Sequence, residues 1–141
     1  MSEHRIVIDT GVAVSAVLLP GSVPRRAFDA AAARGKLLVS EATVAELDEV
    51  LRRPKFNKYI SEEKRLEFLA ALVLEAEEVE ITESVTACRD AKDNKFLELA
   101  VCGRATFILT GDQDLLVLNP FRDVPILTPA QFLDSLAAEG S

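Results

Sequence analysis

Histidine is nearly missing from this chain of 141 residues, since His4 is the only one and it lies near the start. The two cysteines, Cys88 and Cys102, fit neither a CxxC motif nor a cysteine–histidine ligand spacing. We therefore expect no zinc site and no histidine-based catalysis. Both cysteines are interpreted as reduced structural thiols.

Long hydrophobic runs are also missing. No stretch approaches the roughly 20 consecutive apolar residues that cross a membrane, and Arg5 and Asp9 interrupt the N-terminal apolar run. The sequence carries no signal-peptide pattern. These absences predict a cytoplasmic protein with no membrane contact. Because 49% of the residues are hydrophobic, disorder is excluded, and the length predicts a single domain over residues 1–141.

The chain lacks an excess of positive charge, since its formal net charge is −7. That balance excludes a non-specific basic coat for nucleic acid. The charge is nevertheless uneven: residues 25–65 carry ten basic and seven acidic side chains, a net of +3, which leaves −10 for the remainder. This polarity indicates either solvated helix faces or a basic rim beside an acidic site.

Short β-branched runs alternate with amphipathic stretches along the chain. Strands are predicted at residues 5–9, 36–39, 77–81, 106–109 and 125–127. Helices are predicted at residues 25–34, 41–53, 61 to about 76, about 92–102, and after Thr128, and a turn at 110–114. This alternation predicts an α/β domain with a mostly parallel sheet.

Two acidic residues follow predicted strands directly, at the edge of a parallel sheet where ligands gather. Asp9 closes the first apolar strand, where a carboxylate is costly unless it is paired, metal-bound or used to cap the next helix. Asp112 and Asp114 follow the strand at 106–109, and Asx turns or helix caps would explain either one alone.

Two further acids are placed on predicted helices. Glu46 has Glu49 at i+3 and Val50 at i+4, so it lacks a local cation, although a solvated glutamate is the commoner explanation. Asp93 begins the apolar stripe of its helix. The alternative is an acid of the first helical turn, a role that suits Asp90 better.

The group of acids is more informative than any one member. Several carboxylates that converge repel one another unless a divalent cation neutralises them. Because the ligands are oxygen atoms without histidine or cysteine, they indicate Mg²⁺ or Mn²⁺.

With these motifs the sequence resembles the PIN-domain family, and within it a group of small stand-alone prokaryotic proteins. The matching segments are VIDT at 7–10, RPKF at 53–56, CRDAKDNKFLE at 88–98, TGDQD at 110–114 and TP at 128–129. The family includes Mg²⁺-dependent ribonucleases, many of them toxins of bacterial toxin–antitoxin pairs. The resemblance implies a three-layer α/β/α, Rossmann-like fold and an endoribonuclease for single-stranded RNA. The expected partners are RNA, a cognate antitoxin and a second copy of the chain.

The resemblance also implies a role for particular positions. The four acids of the family correspond to Asp9, Glu46, Asp93 and Asp112, and Asp114 is expected beside the metal. Supporting roles are implied for Thr10, Thr110 and Asp90, and phosphate contacts for Arg25, Arg26, Arg52, Arg53 and Lys55. One or two Mg²⁺ ions about 3.5–4 Å apart would activate water and stabilise the leaving oxygen, with Glu46 as a ligand or as the residue that orients the water.

One departure from the family pattern leaves a second interpretation open. The family usually has asparagine after Asp-Thr, and this chain has Gly11. The alternative is therefore a non-catalytic PIN-like module that binds RNA or protein. The apolar segment 65–74 and the edge 77–81 are interpreted as core packing, with a dimer or antitoxin interface as the alternative.

Two other enzyme classes share part of the first motif. Asp-Thr-Gly at 9–11 matches the aspartic-protease signature, but those proteases are all-β, and one copy per chain would require a homodimer. A phosphotransfer domain or a dehalogenase-like phosphatase also places aspartate after the first strand. The phosphatase needs a second aspartate two residues later, where this chain has Gly11.

Overall fold

The computed structural model describes residues 3–139. The described helices and strands follow one another in the order β1 His4–Ile8, α1 Thr10–Leu18, α2 Val23–Arg34, β2 Gly35–Val39, α3 Glu41–Leu51, α4 Glu62–Glu75, β3 Glu77–Glu78, α5 Asn94–Gly103, β4 Phe107–Leu109, α6 Gln113–Leu116, β5 Ile126–Leu127 and α7 Pro129–Glu139. Short 3₁₀ turns at Pro54–Phe56 and Ala91–Asp93 precede α4 and α5.

All five strands run parallel in the order β3-β2-β1-β4-β5. Because alternate side chains of a strand point to opposite faces, both faces of β1 are apolar and buried. Ile6 packs with α1, α2 and α7, whereas the adjacent Val7 packs with α5. The sheet is therefore covered on both faces, and the predicted three-layer α/β/α fold is confirmed.

A third apolar cluster lies where α1, α3 and α4 meet. Val17 of α1, Leu47 and Leu51 of α3 and Leu69 of α4 are buried together there. This cluster fixes α3 against α1, and α3 is the helix that carries Glu46. No helix within residues 3–139 has the length and apolar character needed to cross a membrane.

Serine and threonine side chains begin several helices as the sequence predicts. The hydroxyls of Ser40 and Ser61 accept the backbone N–H of Thr43 and Lys64. Thr128 accepts the backbone N–H of Gln131 at 3.1 Å in the same way. These caps satisfy N–H groups that the first helical turn leaves without a partner.

The structure departs from the sequence-based prediction at several elements. Helix α1 was not predicted, and the third strand is Glu77–Glu78 rather than 77–81. The turn predicted at 110–114 includes the start of α6, which Asp112 caps. Gly103 is the last residue of α5, and a Cβ there would lie 2.8 Å from Leu38 Cδ1, so glycine permits the close approach of helix and strand.

The apolar segment 65–74 of α4 is only partly used for core packing. Leu69 is buried, and Leu66 and Leu72 are half-buried, but Val73 is 43% exposed and Leu74 is 82% exposed. The interpretation of this whole segment as core packing was therefore wrong for its last two residues, because α4 turns only one side toward α1 and α3.

Candidate active site

The candidate cleft lies at the carboxyl ends of β1 and β4, where the strand order reverses. The backbone N–H of Asp9 donates to the carbonyl of Leu109 at 3.0 Å, so the chain beyond β1 starts beside the end of β4. A cleft of about 840 Å³ opens at this point, a size within the usual range of ligand sites. Its acidic wall consists of Asp9, Glu46, Glu49, Asp90, Asp93 and Asp112.

Asp9 has two structural partners, one for each carboxylate oxygen. Oδ1 accepts the backbone N–H of Val12 at 2.8 Å and so caps α1. Oδ2 accepts the hydroxyl of Thr110. Burial raises the pKa of Asp9, and these hydrogen bonds oppose the rise, while the charges of Asp112 and Glu46 add to it. The structure therefore shows Asp9 as the cap of α1 and as a buried carboxylate that lines the cleft, and its role as a metal ligand stays a prediction.

Asp112 is held by one hydrogen bond from its backbone N–H and one to its carboxylate. Its N–H donates to the hydroxyl of Thr110 at 3.0 Å, and its Oδ1 accepts the N–H of Asp114 at 2.8 Å. Asp112 lines the cleft, whereas the described lining does not include Asp114. Asp114 thus contributes through its backbone N–H, which orients the carboxylate of Asp112.

Asp93 is the most perturbed acid of the cleft. It is only 7% exposed, and its Oδ2 is buried without a hydrogen-bond partner among the described residues. The pKa of Asp93 is raised to about 6. Burial is the largest cause, and the carboxyl of Asp112 contributes through hydrogen bonding and negative charge. A carboxylate beside a second carboxyl group is stabilised by a shared proton or by a cation.

Glu46 receives a donor on each oxygen. Lys95 Nζ lies 2.7 Å from Oε1, and the hydroxyl of Thr10 donates to Oε2. Burial works against the ionised form, but the bonds from Lys95 and Thr10 and the nearby positive charge outweigh it, so the pKa of Glu46 lies below its usual range. The sequence correctly indicates that α3 supplies no cation for Glu46, since the cation comes from α5.

The donor set of the cleft suits a hard divalent cation such as Mg²⁺ or Mn²⁺. The acids offer oxygen ligands only, and the unpartnered Oδ2 of Asp93 beside Asp112 is where a positive charge gains most. Within residues 3–139, however, no three acidic, histidine or cysteine side chains already form a closed ligand cluster.

The predicted basic residues occupy different places. Arg53 lines the cleft. Arg25 and Arg52 form ion pairs with Asp29 and Asp48 on their own helices. Two others, Arg26 and Lys55, are exposed outside the cleft lining.

Other predicted residues lie close to the acids. Thr10 and Asp90 line the cleft, and Asp90 accepts the backbone N–H of Lys92 at 3.2 Å. Thr110 is fully buried beneath the cleft and contacts it through Asp9 and Asp112. Cys88 is buried, and burial raises the pKa of its thiol, in keeping with a structural cysteine.

Sequence reasoning missed two lysines of the site. Lys92 lines the cleft with a side chain that is 70% exposed. Lys95 binds Glu46, which is 49 positions earlier in the chain. They lie one and two positions from Asp93 in the sequence, so an available signal was the presence of two lysines close to a buried acid.

The structure is a three-layer α/β/α domain with an acidic cleft at the point where the strand order of its parallel sheet reverses. A family model described as a PIN domain matches residues 5–114. The chain belongs to the PIN-domain family.

Three known proteins illustrate what this chain is similar to. The uncharacterized protein MJ1680 of Methanocaldococcus jannaschii is 32% identical over 118 residues, which cover 82% of this chain and 75% of that protein. VapBC2 of Rickettsia felis, solved with a DNA fragment from its promoter, matches with a TM-score of 0.55 and 14% identity over 87% of this chain and 96% of the matched one. PAE2754 of Pyrobaculum aerophilum matches with a TM-score of 0.58 and 12% identity, over 96% and 90% of the two chains. Because VapBC2 and PAE2754 are only 14% and 12% identical to this chain, their likeness supports the fold alone.

Proposed function

We propose that this protein is a Mg²⁺- or Mn²⁺-dependent endoribonuclease that hydrolyses single-stranded RNA. The observation that carries the proposal is the buried, unpartnered Oδ2 of Asp93, which faces a second carboxyl group, that of Asp112, in an open cleft. A structural acid at this depth would be hydrogen-bonded or paired. A divalent cation removes the repulsion, and it can also activate water and stabilise negative charge in phosphodiester hydrolysis.

The residues of the cleft divide the work of hydrolysis. Asp9, Asp93 and Asp112 would hold the cation, which when bound lowers the pKa of water and stabilises charge on the phosphate. Glu46, fixed by Lys95 and Thr10, orients the attacking water. The water oxygen would form a bond to phosphorus as its proton passes to solvent or to a carboxylate. The bond from phosphorus to the ribose oxygen would break, and that oxygen would take a proton from solvent.

Basic residues beside the acids support an RNA substrate. Arg53 and Lys92 line the same cleft and bring positive charge next to the carboxylates. Arg25, Arg26, Arg52 and Lys55 lie outside the cleft lining, within the segment 25–65 that carries a net charge of +3. They would bind phosphates of the RNA as it approaches the cleft. Replacing Arg53 by alanine should weaken RNA binding and reduce the salt dependence of binding by about one phosphate contact. Arg34→Ala is the control, because exposed Arg34 directly precedes β2 at the opposite end of the sheet.

A cleavage assay tests the nuclease proposal directly. Labelled single-stranded RNA is incubated with the protein and with Mg²⁺, Mn²⁺ or a chelator, in parallel with D9N, D93N and E67Q. Glu67 is an exposed acid of α4 outside the cleft, so E67Q controls for loss of a negative charge. We expect cleavage only with metal, and a loss of about 100-fold or more in D9N and D93N, since even outer partners of metal sites cost about 10–100-fold. Equal cleavage by all four proteins would contradict the mechanism.

The same assay addresses the non-catalytic alternative. Gly11 lines the cleft beside Asp9, and the amide that the family usually carries there is missing. Metal-dependent RNA binding without cleavage would favour a binding module. Cleavage that appears only in G11N would then identify Gly11 as the cause.

We further propose that the protein acts in the cytoplasm as the toxin of a toxin–antitoxin pair. Membership of the PIN-domain family and the structural likeness to VapBC2, a complex solved on promoter DNA, support this role. Expression of the wild-type chain should arrest bacterial growth, whereas D9N should not and E67Q should. Growth arrest by D9N as well would separate toxicity from the cleft.

The exposed apolar surface of α4 supports a homodimer. Leu66, Ala70, Val73 and Leu74 form one apolar groove on α4. Light scattering should report a dimer that L74E dissociates. V117S is the control, because Val117 is 72% exposed but lies elsewhere on the chain. A monomeric wild type, or a dimer that L74E leaves intact, would overturn this proposal.

A further inference from the structure

The ion pair between Lys95 and Glu46 divides the acidic cleft into two unequal halves. The nitrogen of Lys95 lies 2.7 Å from Glu46 Oε1, and the two side chains are only 19% and 20% exposed. The hydroxyl of Thr10 donates to the other carboxylate oxygen. Each carboxylate oxygen of Glu46 therefore already accepts one hydrogen bond from the protein.

The other half of the cleft carries no cation of its own. Within residues 3–139, Asp9, Asp93 and Asp112 form no ion pair with lysine, arginine or histidine. Lys92 lines the cleft, and its ammonium lies 3.9 Å from a carboxylate oxygen of Asp90. Among the described residues, a lysine therefore pairs with Glu46, whereas no basic side chain pairs with the three aspartates.

We infer that Lys95 is the permanent cation of the Glu46 half, so that the protein binds one divalent ion, on the side of Asp9, Asp93 and Asp112. This inference rests on the proposed function. In sites that hold two metal ions, the ions lie about 3.5–4 Å apart, and each needs carboxylate oxygens. The ammonium of Lys95 already takes the carboxylate that a second ion would use. It also repels a second cation at short range in a partly buried site.

Lys95 acts in this view as a positioning residue, because it fixes Glu46 without being a metal ligand. A merely structural ion pair between α3 and α5 would also lower stability when Lys95 is replaced. Metal stoichiometry distinguishes the two roles, since loss of a structural bond leaves the number of bound ions unchanged. Lys92 provides a control of the same charge: it lines the cleft beside Asp93 but makes no hydrogen bond with Glu46.

The test is a Mn²⁺ titration of the full chain, with free Mn²⁺ measured by electron paramagnetic resonance. The proteins are the wild type, K95M, K95R, K92M and the double variant K95M/E46Q. We expect one bound ion in the wild type, K95R and K92M. Two ions are expected in K95M, where Glu46 becomes available, and one again in K95M/E46Q. Circular dichroism confirms that each variant is folded.

Each other outcome counts against a specific part of the argument. Two ions in the wild type, or one ion in folded K95M, would overturn the inference and leave the metal-dependent nuclease intact. No bound ion in the wild type would overturn the proposed function itself. If K95M does not fold, the Mn²⁺ titration of E46Q tests the inference instead. E46Q must then bind one ion with an affinity within about 10-fold of the wild type, because Glu46 is not a metal ligand in this view and the loss of an outer partner costs as little as about 10-fold. A larger loss of affinity would overturn the inference.

Discussion

The buried hydroxyl of Thr110 donates a hydrogen bond to Oδ2 of Asp9 and so joins the ends of the two central strands. The hydroxyl oxygen of Thr110 also accepts the backbone N–H of Asp112, at 3.0 Å. One side chain that is fully buried therefore sets the positions of two acids. Neither acid has an ion-pair partner within residues 3–139, so their positions depend on this hydroxyl together with the backbone N–H groups of Val12 and Asp114.

Replacing Thr110 by valine should disrupt the metal site while keeping the shape of the core. T110V leaves Oδ2 of Asp9 and the N–H of Asp112 without a partner, so we expect a loss of about 1–3 kcal/mol in the free energy of unfolding. Metal affinity should fall about 10–100-fold. Calorimetric titration with Mn²⁺ and urea unfolding measure the two effects. T110S retains the hydroxyl, and a similar loss of affinity in T110S would show that the methyl group matters instead.

The contribution of Asp93 to the stability of the metal-free protein should fall as the pH rises from about 4 to 7. The pKa of Asp93 is about 6 in the folded protein against 3.8 in the unfolded chain, so the folded state holds the proton more tightly within that window. Stability from this proton is complete below pH 4 and is lost through pH 6. In D93N the loss is absent, so D93N should be more stable than the wild type at pH 8 by up to about 3 kcal/mol.

Urea unfolding in chelator at pH 4, 6 and 8 measures this difference. E67Q serves as the control, because it removes an exposed charge elsewhere. Addition of Mg²⁺ at pH 8 should stabilise the wild type and not D93N. A difference between wild type and D93N that does not change with pH would contradict the raised pKa.

Asparagine should be tolerated at position 11 without strain. A Cβ at Gly11 would meet Asp9 Oδ1 at 3.7 Å, an ordinary contact, and the side chain would point toward the cleft acids. We expect G11N to change stability by less than about 0.5 kcal/mol. Metal affinity should rise by up to about 10-fold, the effect of one added outer partner. G11A adds only the methyl group, so an equal gain in G11A would exclude a role for the amide.

Arg65 is predicted to be essential for stability although it forms no ion pair. It is fully buried, and its guanidinium donates to the carbonyls of Leu51, Ile60 and Arg53 and to Asn57 Oδ1. R65M would leave these buried acceptors unsatisfied, at a cost of about 3 kcal/mol or more. R65K should also lose stability, because one ammonium cannot span the four acceptors. Urea unfolding checks both, with exposed Lys64→Met as the control, and an R65M midpoint equal to that of the wild type would contradict the assignment.

The sequence predicted the order of strands and helices well where local signals were strong. Serine and threonine caps and β-branched runs placed most elements. Helix α1 was missed, because Thr10–Leu18 contains Gly11 and three valines and has no polar face to give a helical period. Its helix forms because Asp9 caps it and five of its nine residues are buried.

The site was predicted as a set of acids but not as a network. The positions of Asp9 and Asp112 follow from strands that end at the same edge of a sheet. The bond between Lys95 and Glu46 does not, because it joins α5 to α3 across 49 residues. The contrast between an engaged Glu46 and an unpartnered Asp93 depends on burial, and a single sequence does not report which side chains meet.

The guanidinium of Arg65 has a mechanical consequence for the segment between α3 and α4. Its four acceptors are spread over residues 51–60, so this connection is fastened to α4 at several points rather than free to swing. Arg53 at the edge of the cleft moves as part of that assembly. A protease that cuts between residues 52 and 60 therefore reports the opening of α4 and not the motion of an independent loop.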